Sequence, residues 1–297
     1  MTQRHPFTLP VLLALFAVYI IWGSTYLGIA LAIDGIPPLL MAGTRFWSAG
    51  LLMLLWLKYR GHAMPTLRQW GNALLIGSLM LGVGNGAVTI AEQWVATGLA
   101  AVMIATVPLF SILCAHWLLG QRAHGVEWLG LAVGFGGILL LNSDQRLSGQ
   151  PLGAFLLLAA AFCWALGSAL SRRINMPTGP MSTAAQMLCA GVCMSLAGVL
   201  HGERIHHIPP TKAMLATAYL AVFGSLIAYS AYQYLLKTVR PALATSYAYV
   251  NPLVAVGLGT LFLSEPVTPR MVLAMTIILS AVLLVMLAQW QRSRQQR

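Results

Sequence analysis

The chain has 297 residues, of which 59% are hydrophobic and only 8% are charged, and its formal net charge is +11. Because an ordinary soluble domain is about 25% charged, this composition excludes a soluble globular protein and predicts a surface that faces lipid. The basic residues lie between apolar runs rather than in one cluster, so we interpret them as topology signals and expect no nucleic-acid partner.

Ten apolar runs are long enough to cross a bilayer, since a membrane-spanning helix needs about 20 largely apolar residues. The sequence therefore predicts an all-α integral membrane protein with ten transmembrane helices. The first run lacks a clear small-residue cleavage site, so we expect it to remain attached as the first helix. The predicted spans are residues 10–33, 37–58, 70–90, 95–119, 125–142, 151–172, 180–200, 212–235, 242–263 and 267–289.

The placement of Lys and Arg predicts that both termini are cytoplasmic, because cytoplasmic loops carry an excess of basic residues. With the N-terminus inside, twelve basic residues fall on the inner side and four on the outer side, and Arg45 lies within a span. The inner set is Arg4, Lys58, Arg60, Arg68, Arg122, Arg172, Arg173, Lys237, Arg240, Arg292, Arg294 and Arg297. The outer set is Arg146, Arg204, Lys212 and Arg270.

The two halves of the chain carry similar features in the same order. Pro108 corresponds to Pro252 at an offset of 144 residues, and Trp22 corresponds to Trp164 at an offset of 142. Each half holds five predicted spans, and two odd-numbered halves in tandem must have opposite orientations. We therefore expect two inverted five-helix repeats, with a substrate site near the membrane midplane where they meet. The predicted repeats are residues 1–145 and 146–297.

Several motifs make this sequence resemble the drug/metabolite transporter superfamily, in the branch with paired EamA repeats. The resemblance covers nearly the whole chain, and its motifs are uninformative about the substrate. The motifs are residues 19–26 (YIIWGSTY), 41–46 (MAGTRF), 105–110 (ATVPLF), 241–252 (PALATSYAYVNP) and 263–265 (LSE).

The resemblance implies a secondary transporter in a bacterial inner membrane that exports amino acids, other metabolites or drugs by alternating access. The chain contains no Walker A motif, so an ion gradient or the substrate's own gradient must drive transport. Proton coupling and facilitated diffusion both remain open. Repeats of this family often carry Glu at the end of the fourth helix as well as the ninth. Here the first position is Gln121, so only Glu265 can carry a charge.

Arg45 is the most informative charged residue inside a predicted span. It lies about eight residues into the second span, or about 12 Å deep at about 1.5 Å per residue. An unpaired cation at such a depth costs a few kcal/mol or more, and Glu92 at the outer end of the third span is its expected partner. The pair could form a gate or an anion-binding site. The structural alternative is a fixed ion pair, or snorkelling, that locks the second and third helices together.

Polar and aromatic side chains in the middle of several spans predict the wall of a substrate cavity. Such a wall needs apolar area together with a few hydrogen-bonding groups. The tyrosines of the eighth and ninth spans lie too deep for the interfacial aromatic belt to be the default. Helix packing is the structural alternative for the residues of the first and sixth spans and for Asn85. The predicted lining residues are Trp22, Ser24, Thr25, Tyr26, Asn85, Trp164, Ser168, Tyr229, Tyr232, Gln233, Tyr247 and Tyr249.

Pro108 and Pro252 lie in the middle of the fourth and ninth predicted spans. A proline inside a helix removes one backbone hydrogen bond and kinks the helix, which membranes tolerate where a neighbour or cavity water satisfies the freed carbonyl. We expect a pair of hinges for alternating access, with a purely structural kink as the alternative. Thr106 and Asn251 lie beside these prolines and are further candidates for substrate contact.

No cofactor or metal site is predicted. Cys189 and Cys193 are four residues apart, but the thiolate that a metal needs is costly in lipid, so we interpret them as packing residues. Two alternatives to a transporter are an intramembrane enzyme, for which the chain shows no catalytic motif, and a non-transporting scaffold or sensor. The expected partners are a small-molecule substrate and the lipid bilayer, in a monomer or homodimer.

Overall fold

The apolar runs form long helices in the computed structural model, which describes residues 8–120, 125–142, 151–239 and 241–295. No β-strand occurs within these ranges, and the predicted all-helical fold is confirmed. In chain order the helices are α1 (Leu9–Ile33), α2 (Pro38–Tyr59), α3 (Leu67–Ala91), α4 (Thr97–Ile104), α5 (Val107–Leu119), α6 (Gly125–Asn142), α7 (Pro151–Leu170), α8 (Pro180–Leu200), α9 (Thr211–Thr238), α10 (Pro241–Ala244), α11 (Tyr247–Leu263) and α12 (Pro269–Gln295).

Seven segments in the described part of the chain have the length and composition of membrane spans: α1, α2, α3, α4 together with α5, α7, α8 and α9. Shorter apolar stretches lie within α6, α11 and α12. The outward faces carry large apolar side chains, as Leu52, Leu55 and Trp56 do on α2. Exposed apolar faces of this kind suit contact with lipid rather than water.

α4 and α5 are separate helices, although the sequence predicted one span over residues 95–119. Pro108 is the second residue of α5, and a proline ring clashes with the carbonyl four residues earlier in a continuous helix. That carbonyl belongs to Ile104, where α4 ends. A short turn at Ala105 and Thr106 therefore replaces the expected kink.

A similar turn separates α10 from α11, where the sequence predicted one span over residues 242–263. The Thr106 hydroxyl donates to the Met103 carbonyl at the first turn, and the Ser246 hydroxyl donates to the Leu243 carbonyl at the second, both at 2.7 Å. Each hydroxyl supplements the backbone N–H of its own residue, which donates to the same carbonyl at 3.2 Å for Thr106 and 3.3 Å for Ser246, so the carbonyls at both breaks are satisfied. Such compensation allows irregular backbone at membrane depth.

Small residues bring α2 and α8 into close contact. Gly43 lies against Ser195, and Gly50 lies against the backbone of Leu188. The contacting residue numbers rise along α2 as they fall along α8, so these two helices are antiparallel. Residues without bulky side chains let helix backbones approach closely in a membrane.

α6 and α12 form a second antiparallel pair. Gly134 lies near Ala281, and Gly137 lies against Ile278. As in the pair of α2 and α8, the contacting numbers rise along one helix and fall along the other. Glycines at the contact again allow the two backbones to lie close together.

Two further pairs of helices are antiparallel: α1 packs against α9, and α3 packs against α7. These four helices surround the centre of the molecule together with parts of α2, α4, α5 and α11. The contacts that define the helix directions are Gly28 with Leu220, Thr25 with Gly224, Gly84 with Ala160, and Gly167 with Met80.

Candidate functional site

A cavity at the centre of the helices is lined by many of the residues that the sequence predicted. Arg45, expected to act in gating, lies in the same wall. The predicted residues that line it are Trp22, Thr25, Tyr26, Asn85, Trp164, Tyr229, Tyr247 and Asn251. Further lining residues are Ile29, Phe46, Leu81, Gly84, Val88, Ile104, Val107, Ala160 and Gly224. These last are apolar or small residues within apolar runs, so the sequence alone does not separate them from residues that face lipid.

Four aromatic rings from α1, α7, α9 and α11 form a continuous aromatic cluster. The ring centroid of Trp22 lies 5.4 Å from that of Trp164 and 5.1 Å from those of Tyr232 and Tyr247. Trp22 and Trp164 meet edge to face, which is a favoured arrangement for aromatic pairs. The cluster joins four helices at one side of the cavity.

The polar atoms of the aromatic residues bond within the protein. The indole Nε1 of Trp22 donates to the Gly224 carbonyl (3.2 Å), and that of Trp164 donates to the Tyr232 hydroxyl (3.3 Å). The Tyr229 hydroxyl donates to Oε1 of Gln186 (2.6 Å). Because these groups are already engaged, Trp22, Trp164 and Tyr229 present mainly carbon surface to a ligand.

Wide π-helical turns occur in three of the helices around the cavity. They span Ala17–Ile21 in α1, Ser78–Val83 in α3 and Leu220–Tyr229 in α9. Each turn either contains a lining residue or is followed at once by one. A π turn disturbs the regular backbone ladder and is frequent at functional sites.

Asn251 connects α11 to the wide turn of α1. With its amide oriented to satisfy its hydrogen bonds, the side-chain nitrogen donates to the carbonyls of Val18 and Tyr19 (both 3.0 Å) and Tyr247 (3.2 Å). The hydroxyls of Tyr19 and Ser246 are 2.5 Å apart and reinforce the contact. Asn251 therefore lines the cavity while its nitrogen is held by the backbone.

Arg45 and Glu92 are both buried, at 3% and 8% exposure, but they do not form the expected ion pair. Nε and Nη1 of Arg45 and both carboxylate oxygens of Glu92 have no hydrogen-bond partner. The guanidinium lies over its neighbour Phe46, 4.3 Å from the ring centroid, and it faces the cavity, whereas Glu92 directly follows the C-terminal end of α3. The two groups remain close enough to interact electrostatically.

Asn85 brings another unpaired polar group to the cavity wall. Its side-chain oxygen is buried without a hydrogen-bond partner, while its backbone carbonyl accepts from the Thr89 hydroxyl (3.0 Å). A Cβ at the preceding Gly84 would lie 3.2 Å from the ring of Trp164. The glycine therefore lets α3 approach α7 closely, and the Asn85 oxygen is left available to a hydrogen-bond donor.

Several predicted lining residues lie outside the cavity wall. The Ser24 hydroxyl is 2.5 Å from a tyrosine hydroxyl of α9, and the Ser168 hydroxyl is 3.2 Å from that of Tyr232. Thr106 is fully buried and serves the turn between α4 and α5. These contacts favour packing roles for Ser24, Ser168 and Thr106. The side chain of Tyr249 lies outside the described residues.

A buried hydrogen-bond network joins α8 to α9. Gln186 has no solvent exposure; it accepts from the Tyr229 hydroxyl and donates to the Ser182 hydroxyl (2.9 Å). Gln233 donates to the same Tyr229 hydroxyl (2.9 Å). The sequence interpretation included Tyr229 and Gln233 but missed Gln186, although an amide within an apolar span is the same kind of signal.

Two carboxylates accept hydrogen bonds from the N-termini of helices that lie much earlier in the sequence. Glu265, after α11, accepts from the backbone N–H groups of Thr97 (2.8 Å) and Gly98 (3.2 Å) and from the Thr97 hydroxyl (2.9 Å). Glu203, after α8, accepts from the N–H groups of residues 39 and 40 at 3.1 and 2.8 Å. The first N–H groups of a helix lack helical partners and favour a negative charge. We call these two contacts the carboxylate latches.

The sequence profile of the EamA-like transporter family matches residues 9–143 and, a second time, residues 151–287. The chain belongs to the EamA-like transporter family. It is therefore a transporter rather than an enzyme, and the resemblance inferred from its motifs is confirmed. The family domain occurs twice in it.

Relatives of this EamA-like transporter match it over most of its length. It is 51% identical over 283 residues to the uncharacterized inner membrane transporter YedA of Escherichia coli strain K12, covering 95% of this chain and 92% of YedA. It is 27% identical over 275 residues to the protein PecM of Dickeya dadantii, covering 91% of each. One solved crystal structure superposes with a TM-score of 0.70 at 20% identity, over 94% of this chain and 98% of that one, and this likeness supports the fold alone.

The two predicted hinge prolines of this EamA-like transporter differ in local structure. Pro108 is the second residue of α5, just after a turn, whereas Pro252 lies inside α11. A proline within a helix leaves the carbonyl four residues earlier, here that of Ala248, without its usual partner. The backbone is thus interrupted at one position and weakened at the other, and the hinge role of both stays a prediction.

Proposed function

We propose that this EamA-like transporter is a secondary transporter that exports small organic solutes by alternating access around the central cavity. The observation that carries the proposal is a cavity between the helices with aromatic side chains in its wall and unpaired polar groups on Arg45 and Asn85. Apolar area with a few convergent polar groups is typical of a small-molecule site. The direction of transport follows from the family resemblance described for the motifs.

The proposed architecture is ten membrane spans in two inverted repeats, residues 1–145 and 146–297. Equivalent helices support it, because α2 and α8 begin at Pro38 and Pro180, 142 positions apart, and run antiparallel. α6 and α12 are also antiparallel. So are α1 with α9 and α3 with α7, and each of these pairs joins one helix of the first half to one helix of the second. Since one chain holds both repeats, a monomer is the proposed working unit.

The proposed location is a bacterial inner membrane, with both termini in the cytoplasm. The exposed Lys58 in the last turn of α2, Arg60 directly after α2, and Arg172 and Arg173 after α7 support this orientation. The relative YedA, at 51% identity, is named an inner membrane transporter. In this orientation the loops that hold the carboxylate latches face the outside.

Alternating access needs one closure on each side of the substrate. The carboxylate latches lie on the proposed outer side, and the aromatic cluster lies on the inner side. Trp164 and Tyr232 support the second assignment, since each is six residues from the inner end of its helix. Transport then requires the latches to release while the aromatic cluster closes, and the cluster to part while the latches form, with Pro108 and Pro252 as hinges.

Glu92 is the group through which a proton gradient would act. Both of its carboxylate oxygens are buried and unpaired, and acidic residues in such positions form proton relays in transporters. Facilitated diffusion is the alternative. Glu92→Gln keeps the side-chain size and removes the proton-binding carboxylate, so it separates the two mechanisms.

Flux through the purified protein in proteoliposomes tests the proposed function. The panel comprises labelled amino acids, nucleosides, aromatic carboxylates and cationic dyes, with and without a pH gradient. We expect saturable flux of one class, reduced about tenfold in Trp22→Ala, which corresponds to about 1.4 kcal/mol of lost binding. Trp117→Ala is the matched control, because Trp117 is 69% exposed and lies outside the cavity wall.

The outcomes discriminate the possibilities. Absence of flux for every class, with protein shown to be folded, would overturn the transport function and favour a scaffold. Equal losses of flux in Trp22→Ala and Trp117→Ala would contradict a role of the cavity in transport. Flux that needs the pH gradient and is lost in Glu92→Gln supports proton coupling, whereas flux that survives both changes indicates facilitated diffusion.

A further inference from the structure

The polar groups left free in the cavity define the chemistry of its ligand. Trp22, Trp164 and Tyr229 use their polar atoms in bonds to the protein, so their contribution to a ligand is carbon surface. Arg45 and Asn85 differ, because both line the cavity and both keep buried polar atoms without partners. A ligand must therefore satisfy one cationic donor and one neutral acceptor.

The environment of the Arg45 guanidinium favours an anionic ligand. Only 3% of the surface of Arg45 is exposed, and its Nε and Nη1 have no hydrogen-bond partner, which is unfavourable for a buried charged group. Glu92 interacts with it electrostatically but makes no hydrogen bond to it and does not line the cavity. The planar guanidinium matches a carboxylate, which can accept two parallel hydrogen bonds from it.

The rest of the wall disfavours a cation. No acidic side chain lines the cavity in the described part of the chain, so a ligand ammonium would meet the Arg45 charge without a compensating carboxylate. The aromatic rings instead suit a flat or apolar body. The Asn85 oxygen can accept from a neutral N–H or O–H of the ligand.

On the basis of the proposed transport function, we propose that the substrate is a small organic monocarboxylate with an aromatic or apolar body. Its carboxylate pairs with Arg45, its body packs on Trp22 and Trp164, and a neutral donor reaches Asn85. Among the described residues Arg45 is the one cationic side chain of the wall. One ligand carboxylate matches it, whereas a phosphate monoester would bring a second negative charge with no partner among those residues. Anionic substrates are therefore preferred over neutral and cationic analogues of the same shape.

A matched series of three probes tests the preference: 3-phenylpropionate, 3-phenylpropionamide and 3-phenylpropylamine. Binding to the purified protein in nanodiscs is measured by calorimetry and by quenching of tryptophan fluorescence. We expect the carboxylate to bind about tenfold more tightly than the amide, the difference of one charge-assisted bond, and the amine to bind more weakly than both. This comparison uses the wild-type protein and needs no variant.

The variant Arg45→Gln then tests whether Arg45 causes the preference for the carboxylate over the amide. The variant should bind the carboxylate and the amide with the same affinity, within about threefold, because only the charge at Arg45 distinguishes them. Arg45→Lys keeps the charge and should retain part of the preference, so a general loss of folding in Arg45→Gln is recognised by comparison with it.

Tighter binding of the amine than of the carboxylate, or a carboxylate preference unchanged in a folded Arg45→Gln, would overturn the proposal. Saturable flux confined to cationic or neutral solutes would also overturn it, while leaving the transport function intact. Absence of flux for every solute would contradict both the proposed transport function and the proposed substrate class.

Discussion

Buried polar residues of this transporter fall into two kinds. Gln186 and Tyr229 bond fully to neighbouring side chains, whereas Arg45, Glu92 and Asn85 keep buried atoms without partners. A satisfied network fixes helices relative to one another, while an unsatisfied buried group lowers stability unless a ligand completes it. The bonded network therefore serves the scaffold, whereas Arg45 and Asn85, which also line the cavity, can bond to a ligand.

Tyr229→Phe should lower stability, because it removes the donor to Gln186 and leaves that oxygen with one weak contact at 3.4 Å to Gln233. Hydrogen bonds between membrane helices contribute about 1 kcal/mol, so we expect a loss of about that size. Unfolding of the detergent-solubilised protein by heat or SDS measures it. Tyr234→Phe is the control, since Tyr234 lies on the same helix and is 39% exposed. Equal losses in the two variants would contradict the role of the network.

At the residue level, the sequence indicated polar groups inside spans but not their partners. Arg45 and Trp22 were recognisable because a charge or an indole at membrane depth is unusual. Arg45 and Glu92 interact electrostatically but make no hydrogen bond, since the depth of a residue along its helix does not give the direction of its side chain. The contact of Glu203 with α2 was not predictable either, because it joins positions 163 and 164 residues apart.

Among the helices, the contact between α2 and α8 depends on residues that have no side chain. A Cβ at Gly50 would lie 2.9 Å from the carbonyl oxygen of Ala184 on α8, which is closer than such atoms approach. Any larger residue must push the two helices apart. This contact belongs to the symmetric arrangement that we propose, so its closeness matters beyond one site.

Gly50→Ala should therefore destabilise the protein, although alanine is the better helix former. Overpacking of a tight contact costs about 1–3 kcal/mol, which outweighs the propensity gain of about 1 kcal/mol. Gly71→Ala is the matched control, because Gly71 lies within α3 and has nothing within 4 Å of its added Cβ. Thermal unfolding should show a lower midpoint for Gly50→Ala and an unchanged or higher one for Gly71→Ala. The opposite order would show that α2 and α8 can separate freely.

Helix positions were largely predictable, since long apolar runs in lipid have few alternatives to a helix. The breaks between α4 and α5 and between α10 and α11 were less predictable from the sequence. Pro108 explains the end of α4 at Ile104; the proline is visible in the sequence, but whether it produces a kink or a turn is not. The break before α11 at Thr245 and Ser246 has no proline within four residues after it, and only the structure reveals it.

For the whole molecule, the two carboxylate latches are unevenly distributed. Both carboxylates, Glu203 and Glu265, come from the second half of the chain, and both helix N-termini come from the first. The position in the first half that the motifs align with Glu265 is Gln121, which lies outside the described residues. Opening of the proposed outer side therefore requires the second half to release the first at both latches.

Glu265→Gln should weaken one latch and shift the protein toward states open to the outside. Glutamine keeps the size of the side chain but loses the negative charge that the N-terminus of α4 favours, an effect of up to about 2 kcal/mol in partly buried sites. A loss of about 1.4 kcal/mol changes the ratio of two states about tenfold. The cavity should then be reached more often from outside.

A cysteine at position 29 reports that access, because Ile29 lines the cavity and is 1% exposed. In a chain whose four native cysteines are replaced by alanine, Ile29→Cys is labelled in intact cells with a membrane-impermeant maleimide. Adding Glu265→Gln should speed the labelling several-fold, whereas Asp34→Asn, the same chemical change at an exposed site after α1, should not. Equal rates in both backgrounds would mean that Glu265 only caps α4, and that closure of the outer side depends on other contacts.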